Sequence, residues 1–387
     1  MSDAALITGA GVIGPCGRGL PALWRSLCTG ESNRCVIEHF DTYGSPIRRA
    51  GLVPGEEQWA GEPDRLLDLL LVAVGDALCD AGLSDRRAVA LIVATTDAGG
   101  NALAWGEAGA GAAPESDLRA AFAGLLAQRV GERLGLQDTK LTVSTASASG
   151  GSALCVARDL LAAGDAQIVV VAAGDVVTQS AFHGLKSLRT LSVQGCRPFS
   201  SERGGIGISE GAVALVLERY AHGGARAHDA LALLLGCGAS NEASNLATPS
   251  AAGIARAVAE ALADARLELD DVDLINAHGS GTRVGDIAEI QALRSVFHDG
   301  LKDIALVGTK GALWHWQGAA GLLEALACAL SLEKGTITPT HGAEPLDGAW
   351  QDLDIVLETR VAEMRRALSI SSGLDGVNTA AVLAVAR

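Results

Sequence analysis

Three uninterrupted apolar runs constrain this chain more than any other feature: AVALIVAT at 88–95, QIVVVAA at 167–173 and AVALVLE at 212–218. A strand without polar alternation must be covered on both faces, so each run predicts an interior strand of a sheet with helices above and below. Helical spacing lies between and around them, at 21–28, 66–83, 118–134 and 152–161. The second half continues in the same style. Strands are predicted at 231–235, 272–277, 304–308, 367–371 and 380–386, and helices at 253–265, 287–297 and 318–332. Shorter strands are predicted at 6–8 and 140–143, and the Gly- and Ala-rich segment 96–114 reads as a loop. No Pro-rich or charged linker interrupts the chain. It therefore predicts two α/β halves, 1–220 and 221–387, fused near 219–228 into one body.

Composition sharpens this picture. Hydrophobic residues make up 49% of the 387 residues but aromatic ones only 3%, so the interior must be built from Ala, Val, Leu and Ile. Forty-eight glycines predict many close backbone approaches. A net charge of −15 argues against nucleic acid as a partner, because phosphate neutralisation dominates that affinity. The most apolar stretch, 66–83, carries Asp68, Asp76 and Asp80, which fits a helix of a soluble protein and not a membrane span. The first residues lack the basic region of a signal peptide, and the eight cysteines form neither a CxxC pair nor a dense framework. Reduced thiols in a cytoplasmic protein are the expectation.

Four motifs bear on chemistry. Residues 9–14, GAGVIG, match the GxGxxG turn of dinucleotide-binding proteins, which keeps an NAD(P)-dependent oxidoreductase as a rival reading. Pro15 follows directly, where the pyrophosphate-holding helix should run, so a glycine-rich segment beside a buried strand is the alternative. Residues 144–151, STASASGG, join a strand to a helix. Small residues there make a tight turn, and the helix would aim free N–H groups at Ser147. Either a nucleophile turn with an oxyanion site or a serine-rich cap fits. Residues 276–282, NAHGSGT, put His278 at a strand end. Residues 309–315, TKGALWH, put Lys310 and His315 after another.

In this order, TASASG, NAHGSGT, TKGALWH and the following GAAG resemble the β-ketoacyl synthases, condensing enzymes of the thiolase-like fold. Supporting stretches at 8–12, 197–199, 209–212 and 376–378 extend the likeness over nearly the whole chain. The resemblance implies an α/β, five-layer α-β-α-β-α body of two similar halves, usually paired as a homodimer or as a heterodimer with a ketosynthase-like subunit. It implies decarboxylative condensation of acyl and malonyl groups delivered as phosphopantetheine thioesters by an acyl carrier protein, with no metal or dissociable cofactor. The family's nucleophilic cysteine falls on Ser147, its histidines on His278 and His315, its lysine on Lys310, its glutamate on Glu324 and its gating phenylalanine on Leu374.

Three departures matter. A hydroxyl is a far weaker acid than a thiol, so Ser147 implies severe loss of condensation while His278 and His315 still promote decarboxylation. The serine fits an introduced replacement for cysteine, a non-condensing partner subunit of the chain-length-factor kind, or a serine acyltransferase. The loop SSGLDGVN at 371–378 lacks the family's phenylalanines. Trp314 and Trp316 flank His315, either shaping an unusual acyl chain or filling core volume. Together these point to a specialised type II polyketide or polyene pathway ahead of housekeeping fatty-acid synthesis. Docking an acidic carrier on an acidic chain needs a local basic patch, for which Lys186, Arg189 and Arg203 are candidates.

Overall fold

The computed structural model describes residues 4–62, 64–98, 100, 122–220, 229–242, 245 and 248–386. In the first half the core elements are β1 (Ala5–Gly14), α1 (Arg65–Asp80), β2 (Val89–Ala94), α2 (Ala123–Leu134), β3 (Lys140–Val143), α3 (Ser149–Ala163), β4 (Ile168–Asp175) and β5 (Gly211–Arg219). The second half repeats them as β6 (Ala232–Asn241), α4 (Ala251–Ala265), β7 (Leu274–Asn276), α5 (Arg283–Phe297), β8 (Ala305–Val307), α6 (Ala320–Lys334), β9 (Arg366–Ser372) and β10 (Val377–Ala384).

Strand pairing repeats too. β2 lies parallel to β3 and β4, β4 antiparallel to β5, and β5 antiparallel to β1. Likewise β7 lies parallel to β8 and β9, β9 antiparallel to β10, and β10 antiparallel to β6. The two sheets join where β1 meets β6, with Ala5 opposite Leu234 and Ile7 opposite Ala232.

Helices sort by how apolar they are. α1 and α2 cover the outer face of the first sheet and α4 and α5 that of the second. Between the sheets lie α3 and α6. Residues 320–332 of α6 are all buried, as a helix apolar on every side must be. This is the five-layer arrangement, with the largest apolar cluster in its middle. Truncating a fully buried leucine there, such as Leu326, costs about 2–5 kcal/mol.

The GAGVIG motif lies inside β1 and not in a turn. A Cβ on Gly9 would stand 2.4 Å from the Ala77 carbonyl oxygen, and one on Gly11 2.1 Å from that of Ala73. These glycines let α1 settle onto the strand. The strand runs on through Gly14 and the next helix starts only at Leu20, so no helix N-terminus sits at the glycines to hold a pyrophosphate, and the dinucleotide reading falls. The same device explains why β6 outruns the apolar run at 231–235. Gly236 and Gly238 break the pattern because α4 packs on them, a Cβ on Gly238 lying 2.1 Å from the Ala257 carbonyl oxygen. Most of the segment 96–114, and 118–121 of the predicted helix, lie outside the described residues. Among the described residues no helix is long and apolar enough to cross a membrane.

Candidate active site

The site gathers beyond the C-terminal ends of β3, β7 and β8. After β3 the chain turns sharply into α3. Ala146 takes φ 49°, a left-handed conformation that costs a non-glycine residue roughly 1–2 kcal/mol. Ser149 holds the turn: its Oγ accepts the Thr145 N–H at 2.8 Å and lies 2.5 Å from the Ala146 carbonyl oxygen. Gly150 and Gly151 admit the neighbouring elements, since a Cβ would stand 2.6 Å from Leu322 N and 2.0 Å from Thr379 Oγ1 respectively. The positive end of α3 therefore points at the half-buried Ser147, whose carbonyl accepts a hydrogen bond from Ser371 Oγ of β9 at 3.1 Å.

After β7, His278 and the glycines behind it are clamped by two acids of α5. Glu289 accepts the N–H groups of His278 (2.6 Å) and Gly279 (2.9 Å), and Asp286 those of Gly281 (3.0 Å) and Phe199 (2.9 Å). Burial pushes their carboxyls up, Asp286 to about 6 and Glu289 to about 7. Asp175, at the end of β4, does similar work. It accepts from Thr95 Oγ1 at 2.6 Å and from the Gly318 N–H at 2.7 Å, and burial raises it to about 6. Sequence reasoning passed over all three acids. The available signal was an i, i+3 pair of acids, Asp286 and Glu289, set among the apolar positions of a helix.

After β8, a short helical turn, Lys310–Leu313, carries the lysine inward to 2% exposure. Its ammonium has three donors and meets three acceptors: Glu324 Oε1, His278 Nδ1 at 3.1 Å and the His278 carbonyl oxygen at 2.5 Å. An ammonium cannot accept, so His278 Nδ1 must, and its proton resides on Nε2. His315 reaches the same tautomer by another route, its Nδ1 accepting the Gln317 N–H at 2.9 Å. Trp314 (φ 61°) and Gln317 (φ 50°) supply the strained backbone that turns His315 inward. The imidazole centroids lie 5.4 Å apart at 73°. Burial, then the Lys310 charge, and for His278 also the neighbouring imidazole, hold both well below the usual histidine range, so both are neutral at pH 7. Glu324 is pushed up to about 7 by burial, against the pull of Lys310.

Ser147, His278, His315, Glu289 and Leu374 line one cavity of about 350 Å³. Leu374 sits on the turn Leu374–Gly376, and a Cβ on its neighbour Gly373 would stand 3.0 Å from the Thr145 carbonyl oxygen, so this loop lies against the Ser147 turn. Neither indole beside His315 is among the lining residues. Trp316 is fully buried on Gly14 and Gly211 and donates to the Leu313 carbonyl at 3.1 Å; Trp314 packs on Gly195 and Gly207 under the Arg34 guanidinium. The two rings fill core volume.

The basic candidates separate. Arg189 is exposed at the cavity mouth. Lys186 is half-buried and donates to the Thr42 carbonyl at 3.3 Å. Arg203 is corrected: only 4% exposed, it pairs with Asp347 at 2.7 Å and stacks over Trp350 at 4.3 Å, a structural role that leaves no charge for docking. Arg283, missed in the sequence, is exposed at the same mouth as Arg189, with the exposed apolar side chains of Leu188 and Val284 beside them.

This geometry agrees with what the chain is similar to. The family described as "Beta-ketoacyl synthase, N-terminal domain" matches residues 3–223, and "Beta-ketoacyl synthase, C-terminal domain" matches residues 231–344. Nodulation protein E of Rhizobium sp. (strain N33) is 32% identical over 99% of both chains. The 3-oxoacyl-[acyl-carrier-protein] synthase 2 of Vibrio cholerae is 30% identical over 96% of this chain and 97% of that one. Among solved structures, the ishigamide ketosynthase/chain length factor superposes with TM-score 0.91 at 31% identity over 99% of each chain. One chain of the complex of a type II PKS acyl-carrier protein with its ketosynthase bound to the hexaketide superposes with TM-score 0.90 at 26% identity over the full length of both chains. Matched along both halves, with a lysine-held and a backbone-held imidazole facing a helix N-terminus across one cavity, the chain belongs to the β-ketoacyl synthase family of condensing enzymes.

Proposed function

We propose that the cavity receives carrier-bound malonyl and acyl thioesters in type II polyketide, polyene or fatty-acid assembly, and that His278 and His315 activate the malonyl group for decarboxylation. The observation that carries this reading is that both Nδ1 atoms are already occupied as acceptors. Each ring therefore offers an Nε2–H donor to the cavity. A thioester oxygen held by both donors gains most as it becomes an enolate oxygen, so the pair stabilises the transition state more than the substrate. Lys310 and Glu324 are positioning residues. The ammonium fixes the His278 tautomer and disfavours a second proton on that ring. The N-terminus of α3 serves the carbonyl of an acyl group at position 147.

The acidic carrier docks at the cavity mouth, where Arg189 and Arg283 supply charge and Leu188 and Val284 apolar contact. A second reading, a non-condensing partner subunit in a ketosynthase heterodimer, is favoured by Ser147. Eight free cysteines fit a reducing compartment, and we place the protein in the cytoplasm. The test supplies malonyl- and acyl-loaded carrier to a Ser147→Cys variant. A 3-oxoacyl carrier product that disappears with His278→Ala or His315→Ala supports the reading. Absence of any product from the folded Ser147→Cys protein contradicts it.

A further inference from the structure

We infer that Trp314 is a positioning residue for His315 and ties that imidazole to the cavity wall at 190–207; the inference rests on the role given to His315 above. Filling space does not by itself call for a tryptophan here. The backbone of Trp314 takes φ 61° and ψ −168°, a region where glycine is at ease and any side chain is strained. Its Nε1–H is buried without a hydrogen bond, a second cost that leucine or methionine would avoid. Such a residue persists only where its surroundings over-determine it.

The surroundings do so from several directions. The indole lies where neither Gly195 nor Gly207 could carry a side chain. A Cβ on Gly195 would stand 2.4 Å from Cε2, and one on Gly207 2.3 Å from Cδ2. The Arg34 guanidinium covers the ring at 5.1 Å from its centroid and donates to the Gly311 and Ala312 carbonyls at 3.1 and 2.7 Å. One side chain thus grips both the indole and the turn from which it projects.

What the indole holds is shared by His315 and the wall. Gly207 accepts the His315 N–H at 2.8 Å, and the Ser209 N–H donates to the His315 carbonyl at 3.0 Å. His315 is therefore laced to the same segment that packs on the indole. That segment continues through Ile206, whose N–H donates to the Thr190 carbonyl at 2.7 Å, and Thr190, Gly205 and Ile206 line the cavity. Without the indole nothing of this size holds the backbone at 314 in its strained form. The turn relaxes, the Gln317 N–H leaves His315 Nδ1, and the Nε2–H no longer points at one fixed place in the cavity.

The experiment compares Trp314→Phe, Trp314→Ala and Arg34→Met in the full-length chain. Each is followed by urea unfolding, by nitrogen-15 spectra of the histidines, and by kcat and KM for malonyl-carrier decarboxylation. Trp314→Ala should lower kcat by about 10–100-fold with KM little changed, as a misplaced donor does. Its His315 should show an Nδ1–H tautomer while His278 keeps the one that Lys310 fixes. Trp314→Phe keeps a ring under Arg34 and should recover most of kcat and the Nε2–H tautomer. Arg34→Met should give a smaller loss of the same kind. A lower urea midpoint with kcat and the His315 spectrum unchanged in Trp314→Ala is the signature of mere volume and overturns the inference. If Trp314→Ala does not fold, the same unchanged pair of readings in Arg34→Met overturns it. An unsubstituted chain that is inert towards malonyl carrier brings down the carrier reading, and the His315 spectra still decide the role of Trp314.

Discussion

Replacing Lys310 with methionine separates the lysine's structural role from its chemical one. Among the described residues the ammonium, 2% exposed, is the ion-pair partner of the Glu324 carboxylate, whose Oε2 is buried without a hydrogen bond. Removing it strands a buried carboxylate, and breaking such a pair costs about 3–5 kcal/mol, less whatever Glu324 recovers by taking up a proton. The change also frees His278 Nδ1, so the ring can carry its proton on either nitrogen and loses the positive charge that helps hold it neutral. The double variant Lys310→Met, Glu324→Met removes the stranded charge and should regain most of the stability, as apolar replacement of a buried pair often does. It does not restore the tautomer. Urea unfolding and malonyl-carrier decarboxylation, measured on both variants, should therefore part company: stability returns in the double variant while the rate stays about 100-fold down, the loss of one fixed donor. Recovery of both together would refute the assignment of Lys310 as the group that fixes His278.

Other outcomes follow from the same geometry. As pH falls from 7.5 to 6 neither imidazole should gain a proton, because both are held well below the ordinary histidine pKa of about 6.5, so a change in decarboxylation over that range should follow the buried carboxyls of Glu289 and Glu324, raised to about 7, and should vanish in their Gln variants; a fall near 6.5 that persists in those variants contradicts it. Glu289 has a folded-state pKa raised to about 7, so its contribution favours folding below about 4.5 and is lost as pH rises through 7. Glu289→Gln should accordingly cost less stability at pH 8 than at pH 5 in chemical denaturation. Gly150→Ala would press a methyl group to 2.6 Å from Leu322 N and should destabilise by about 1–3 kcal/mol or more, read as a lower urea midpoint. Arg189→Glu with Arg283→Glu should raise KM for the carrier while leaving kcat for a malonyl-pantetheine thioester unchanged, and unchanged carrier KM would remove the docking site.

Much of the architecture was readable because β2, β4 and β5 are covered on both faces and carry no polar alternation to blur them. The glycines of β1 misled for a physical reason: a glycine that admits a helix backbone and a glycine that admits a phosphate leave the same letter. Position 147 and the two histidines could be singled out as strand-end residues, and their joint role came from the family resemblance. What brings them together was not legible. The contact of Lys310 with both Glu324 and His278 depends on where α6 crosses β7. Asp286 and Glu289 look like solvated helix acids until the loop after β7 folds over them. Arg203 read as a surface charge because nothing local reveals the Asp347 and Trp350 that enclose it.

The most direct test is the protonation state of the two imidazoles. Nitrogen-15 spectra of the labelled protein, assigned with His278→Ala and His315→Ala, should show both rings neutral with the proton on Nε2 throughout pH 6–8. A signal for an Nδ1–H tautomer or an imidazolium at either residue in that range would contradict the account.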